Sequence, residues 1–243
     1  MIKLSERLKE ITTYIPKDSI LADIGSDHAY LPIYCVKNKI VKKAIAGEVA
    51  DGPLLAAKSS VKAYQFEQFI DVRKGDGLAV LKETDSVDCI TIAGMGGALI
   101  SSILDNGKEK LHQVSRLILQ PNLAADQIRL WLLNHNWKLV KEKILEEDGH
   151  IYEILVAEQG DSEAPYCNDE DKEKQVFFGP FLIKEKNHVF YKKWKREYNE
   201  WLRVLEELDK AKETVAIIRK KSELKKYIQW YKEVFPDENT ERA

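Results

Sequence analysis

The chain has 243 residues and a formal charge of −2, enough for one large domain or a medium one with an appendage. Its 44% hydrophobic and 9% aromatic content can build a core, which excludes global disorder, and no apolar run approaches the roughly 18–20 residues of a membrane span. The evenly charged start MIKLSERLKE is not a signal peptide, and Cys35, Cys89 and Cys167 lie far apart with no CxxC, so a cytoplasmic protein with neither a disulfide framework nor a metal site is expected.

Lys3–Tyr14 has the spacing of an amphipathic helix placed before the first strand. Short apolar runs follow at Ser19–Gly25, Lys43–Val49, Phe69–Arg73, Val87–Ala93 and Arg116–Gln120. Helical spacing fills the gaps over Tyr30–Asn38, Pro53–Tyr64, Ala98–Asn106 and Ala124–Asn134. Buried strands alternating with helices imply right-handed βαβ units and a parallel sheet covered on both faces. Then the rhythm changes. Trp137–Leu145 and His150–Ala157 are two strand-like runs with no helix between them, and Asp148-Gly149 is a hairpin turn signal. The expected fold class is α/β, a doubly wound sheet ending in an antiparallel hairpin.

Glu158–Lys174 is acidic, polar and poor in aliphatics, and reads as a linker. The boundary is therefore placed at 160, with 1–160 as the α/β domain and 161–243 as linker and helical domain. Beyond it, Phe190, Trp194, Tyr198, Trp201, Leu205 and Leu208 recur at helical spacing, and so do Ile217, Leu224, Ile228, Tyr231 and Phe235. Two helices, Asn187–Asp209 and Glu213–Val234, are expected to pair as an antiparallel hairpin with the aromatic stripes as its seam. Residues 184–226 hold 14 Lys and Arg against 8 Asp and Glu, a net of +6 that leaves −8 for the rest. A net charge of −2 argues against a nucleic-acid partner; its distribution argues for one.

The chemistry gathers at the carboxyl ends of the predicted strands, where ligands bind in open α/β sheets. The loop Asp23-Ile24-Gly25-Ser26-Asp27-His28 follows the first strand. It lacks the G-x-G-x-x-G fingerprint, and Asp23 and Asp27 would repel a pyrophosphate, which disfavours a nicotinamide dinucleotide. A cofactor with a cationic centre and an amino group suits these carboxylates. Glu48 ends the second strand, where an acid can accept both ribose hydroxyls. Asp76-Gly77 follows the third, where Asp76 can take the amino group of adenine; a plain β-turn is the alternative. Three acids after three successive strands have the spacing of an S-adenosylmethionine pocket. The fourth strand runs into Ala93-Gly94-Met95-Gly96-Gly97, a glycine-rich loop that a ligand must approach closely and that has no P-loop spacing. After the fifth comes Gln120-Pro121-Asn122, where Asn122 can present an amide to a base edge or Pro121 can simply end the strand.

ADIGSDHAYLP, AGMGG and LQPN, followed by GHIYEI, together resemble the TrmK family of bacterial tRNA methyltransferases. The resemblance runs from Leu4 through the charged tail. It implies a class I (Rossmann-like) S-adenosylmethionine-dependent methyltransferase sheet with a C-terminal coiled-coil-like hairpin, a tRNA substrate, and methylation of adenine N1 at position 22. The first motif is poorer in glycine than that of methyltransferases in general. Carried over by position, Asp23, Gly25, Ser26 and Asp27 shape the methionine end of the pocket, Glu48 holds the ribose, and Asp76 and Gly77 meet the adenine. The Ala93–Gly97 backbone and Asn122 border the target base, with Ala93, Gly94 and Met95 also lining the cofactor, and His28 and Tyr30 face the substrate, although a helix-terminal or core role suits His28 equally. His150 is read as structural. Adenine N1 has an in-plane lone pair, so catalysis is mainly positioning, with Asp27 or AGMGG carbonyls stabilising the developing positive charge. The tail clusters Lys192, Lys193, Lys195 and Arg196, then Arg219, Lys220 and Lys221 with Lys225 and Lys226, suit phosphate contacts, or else form a solvated helix face laced with ion pairs. A monomer is expected. The competing readings are a methyltransferase for a small molecule or another RNA, a dinucleotide oxidoreductase, and a noncatalytic coiled-coil adaptor.

Overall fold

The computed structural model describes residues 2–166 and 169–236, so Cys167 lies outside the described residues. These residues form two compact units, one ending at Phe181 and the other beginning at Leu182.

The first unit is built on a seven-stranded sheet in the order β3-β2-β1-β4-β5-β7-β6. The strands are β1 (Ser19–Ile24), β2 (Val41–Glu48), β3 (Ile70–Lys74), β4 (Cys89–Gly96), β5 (Arg116–Leu123), β6 (Trp137–Glu147) and β7 (His150–Gln159). The first five are parallel, and β7 inserts antiparallel between β5 and β6. The hairpin turn is what the sequence demands: Asp148 and Gly149 both have positive φ, 51° and 79°, as the favoured two-residue turn requires.

Alternation along the strands feeds two cores. Leu117, Leu119, Leu155 and Ala157 face one layer with α4 (Gly97–Asn106) and α5 (Ala125–Asn134). Ile118, Ile154 and Val156 face the other, with α1 (Glu6–Thr12), α2 (Tyr30–Lys37) and α3 (Asp51–Ala63). Successive side chains of a strand point to opposite faces, so each apolar run serves both layers. α1 is shorter than expected because Ser5 caps it, accepting from the Leu8 N–H at 3.2 Å.

Two expectations change. The strand β5 does not stop before Pro121 but continues to Leu123, pairing with Met95 and Gly96. The AGMGG segment is accordingly strand through Gly96, with Gly97 opening α4, rather than loop: Gly94, at φ 79°, bulges out between Ala93 and Met95, a kink only glycine adopts easily. The acidic stretch is not a domain boundary at 160 either. α6 (Asp169–Phe178) belongs to the first unit. Arg129, fully buried, donates Nη1 to the Val176 and Phe177 carbonyls at 3.3 Å each. Glu142 accepts from the Phe181 N–H at 2.9 Å. Buried charge thus anchors 176–181, just beyond the polar 158–174 stretch.

The second unit contains α7 (Leu182–Glu185), α8 (His188–Lys210) and α9 (Val215–Val234). Asn187 and Thr214 cap the two long helices. Tyr198 stacks on Tyr231 at 4.2 Å and Trp201 meets Tyr227 at 5.5 Å, so the helices run antiparallel. Phe190, Trp194 and Trp201 are buried at the seam, whereas Leu205 and Leu208 are only partly covered. None of the helices is long and apolar enough to cross a membrane among the described residues.

Candidate active site

Gly25, at φ 71°, turns the chain off β1. Its N–H and that of Ser26 donate to the Gly47 carbonyl of β2 at 2.9 and 3.2 Å. A Cβ on Gly25 would lie 2.1 Å from Met95 Cε, the movable end of a flexible side chain, so it is the left-handed backbone rather than this contact that calls for glycine. Asp27, His28 and Ala29 then take positive φ in succession, 24°, 60° and 55°. Such residues cost on the order of 1–3 kcal/mol each and persist where the surroundings over-determine them.

Two acids supply that determination. Asp23, 4% exposed, accepts from Ser26 Oγ and from Thr91 Oγ1, each at 2.6 Å. Burial pushes its carboxyl up to about 6, against those two hydrogen bonds and with help from nearby Glu48 and Asp27. Glu48, 7% exposed, accepts from the Asp27 N–H at 2.8 Å. Burial raises its carboxyl too, opposed by the hydrogen bond from Asp27. Both carboxylates therefore hold the loop. A carboxylate has lone pairs for about four donors, so Glu48 keeps capacity for ligand hydroxyls.

Asp76 is exposed just past β3, and Gly77 follows at φ 51° against Ile103. Asp23, Glu48 and Asp76 thus stand at the ends of three neighbouring strands, roughly 5 Å apart from strand to strand. An elongated ligand with an ammonium group, vicinal hydroxyls and an exocyclic amine matches that row. A pyrophosphate does not.

Asn122 and Ala93–Met95 are brought together as expected, but through a network the sequence does not reveal. Asn122 Nδ2 donates to the Gly94 carbonyl at 2.7 Å. The buried Gln120 side-chain oxygen accepts from the Gly94 N–H at 3.1 Å and from Arg7 Nη1. Arg7 also lies over the Tyr152 ring, 4.9 Å from its centroid. Asn122 is first a clamp on the bulge. Thr91 and Arg7 are the residues sequence reasoning missed; Thr91 reads as an ordinary strand residue, and Arg7 sits on α1, 113 positions from Gln120.

His28 and Tyr30 stack at 5.2 Å with 10° between their rings, and Tyr30 is 41% exposed. Asp27 is open to solvent, 3.6 Å from His28 Nε2. His150 is exposed at the hairpin turn. Among the described residues, no group of three or more His, Cys, Asp or Glu is placed to hold a metal.

On the hairpin, Lys221 pairs with Asp209 at 2.9 Å and Lys220 with Glu223 at 3.0 Å. Lys193, Lys195 and Lys226 lie over Trp194, Tyr198 and Trp230, and Lys192 is half-buried. Arg196 and Arg219 are exposed, as is Lys225.

Residues 21–233 match the family model for TrmK, tRNA (adenine(22)-N(1))-methyltransferase. The chain is 49% identical over 96% of its length to the Bacillus subtilis tRNA (adenine(22)-N(1))-methyltransferase, covering 97% of that protein. The crystal structure of the B. subtilis M1A22 tRNA methyltransferase TrmK superposes with a TM-score of 0.90 at 48% identity, covering 96% of this chain and 99% of that one. A Streptococcus pneumoniae protein solved with S-adenosyl-L-methionine gives 0.84 at 44% identity over the same shares. The M. capricolum TrmK complex with S-adenosyl-homocysteine gives 0.78 at 27%, covering 95% and 98%. The chain belongs to the tRNA (adenine(22)-N(1))-methyltransferase family.

Proposed function

We propose that this protein methylates N1 of adenine 22 in tRNA, using S-adenosylmethionine. The observation that carries the reading is the 49% identity to the B. subtilis enzyme across 96% of the chain, helical hairpin included. The cofactor supplies a methyl group activated on a sulfonium. The row of Asp76, Glu48 and Asp23 fits its adenine amine, ribose hydroxyls and ammonium, which agrees with relatives solved with this cofactor and its product.

Adenine N1 carries its own lone pair, so the residues have to place the base rather than deprotonate it. The exposed His28–Tyr30 stack offers a flat surface to an incoming base. The clamped Gly94 bulge and Asn122 border it. Asp27 then lies where a carboxylate offsets the positive charge left on the product. Phosphate contacts come from the hairpin cations, with Arg196 and Arg219 the most available of Lys192, Lys193, Lys195, Arg196, Arg219, Lys220 and Lys221. We further propose that it works as a monomer in the cytoplasm, and methyl transfer from a sulfonium to a nitrogen lone pair needs no metal.

Labelled methyl transfer to tRNA transcripts, with the modified base located by primer extension, tests the reading. Replacing adenine 22 should abolish incorporation. Incorporation that survives that replacement, or label in metabolites instead of tRNA, would overturn it.

A further inference from the structure

The rim of the cleft holds an apolar side chain out into solvent on a stiff support. Leu123 ends β5 and is 67% exposed. Its surroundings leave it little freedom. Ala124, the next residue, is left-handed at φ 56° and its carbonyl accepts from the Gln127 N–H at 3.2 Å. That carbonyl oxygen lies so close to Gly97 that a Cβ there would be 1.9 Å away. Leu123 itself pairs with Gly96 in the sheet. On its other side Asn122 is fastened to the Gly94 carbonyl. Leu99, in the first turn of α4, is also exposed, at 54%. A scattered surface leucine needs no explanation. Here two of them flank the junction of β4 and α4, and one is fixed beside the clamp that borders the substrate base.

The chemistry of the substrate gives that arrangement a use. A base inside a folded RNA is stacked and paired, and an enzyme acting on its ring must take it out. Proteins that unstack nucleic acid commonly fill the gap with an apolar wedge such as leucine. A wedge has to be rigid, exposed and close to the pocket that receives the base. Leu123 meets all three conditions.

We propose that Leu123 is the wedge that occupies the space vacated by adenine 22, with Leu99 flanking it. Leu123 is then a positioning residue that never touches the reacting atoms. The inference rests on the tRNA reading above and adds a step to it.

The test uses the full chain and a tRNA carrying 2-aminopurine at position 22, whose fluorescence rises when the base leaves its stack. With wild-type protein the signal should rise on binding; no rise would remove the extraction step itself. Leu123→Ser should lose at least half of that rise. Its kcat/KM on folded tRNA should fall about tenfold or more, but less than about threefold on a tRNA whose adenine 22 is already unpaired. Leu123→Met, which keeps an apolar wedge, should retain the rise. A full rise with Leu123→Ser, or equal losses on both RNAs, would overturn the wedge while leaving the methyltransferase reading intact.

Discussion

Arg7 and Gln120, 113 positions apart, share a hydrogen bond that fixes the glycine bulge of the active site. The Gln120 oxygen that accepts from Arg7 also accepts from the Gly94 N–H, so α1 braces β4 through β5. Arg7→Met removes the charged donor and leaves a buried amide oxygen half satisfied, at a cost of about 1–3 kcal/mol. We expect cofactor affinity within about twofold of wild type and kcat lowered about tenfold, because the bulge loses its fixed position. Calorimetric cofactor binding and single-turnover methyl transfer would separate the two effects. Full turnover in the variant would reduce Arg7 to a structural residue.

Sequence patterning reveals the sheet and the acid row because both are local. Strand alternation places Asp23 and Glu48 at strand ends, and Asp76 follows from the turn after β3. What it hides depends on long-range contact. Nothing near Arg7 marks it as a partner of Gln120, and Pro121 reads as a strand terminator although β5 runs on to Leu123. Proline lacks only a donor, so a position that donates nothing tolerates it. The docking of 176–181 is hidden for another reason: besides buried Phe178 and partly buried Phe181, it uses backbone groups held by the side chains of Arg129 and Glu142, and such long-range polar contacts leave no periodic signature.

Asp23 makes stability depend on pH. Its folded carboxyl titrates near 6, above the ordinary value of 3.8, because burial disfavours the charged form. The contribution is therefore present in full below the ordinary value and is lost as pH rises through about 6. Two units correspond to roughly 3 kcal/mol, or roughly 6–12 °C for a chain of this size. Asp23→Asn cannot ionise, yet its amide can still engage Ser26 and Thr91. The melting temperature of the variant relative to wild type should climb by that amount between pH 4 and 7. A constant difference across the range would show that Asp23 does not titrate there.

Arg129 sits between two buried carboxylates. Nε donates to Glu142 at 2.6 Å and Nη2 donates to Glu153, with side-chain exposures of 1%, 1% and 4%. Arg129→Met removes the buried positive charge that both acids share, a loss of about 3–5 kcal/mol, and also takes the Nη1 donor from the carbonyls of Val176 and Phe177. Glu142→Gln keeps an acceptor and relieves the repulsion between the acids, so it should cost less. Thermal melts at neutral pH check the order. A smaller loss for Arg129→Met than for Glu142→Gln would mean that packing, not charge, holds the 176–181 segment.

Ending the chain at Phe181 tests the division of labour between the two units. The first contains the whole sheet, both cores and every residue of the acid row, so residues 1–181 should fold and bind cofactor with nearly unchanged affinity. It also loses residues 184–226 and their surplus of six positive charges. Each phosphate contact contributes about 0.9 to the slope of log affinity against log salt on a duplex. If three or more hairpin cations touch phosphate, the slope should flatten by about 2–3 and the tRNA KM should rise at least tenfold at moderate salt. Filter binding at several salt concentrations, with and without the hairpin, measures both. An unchanged KM and slope would remove the hairpin from RNA recognition and leave that task to the cleft and its rim.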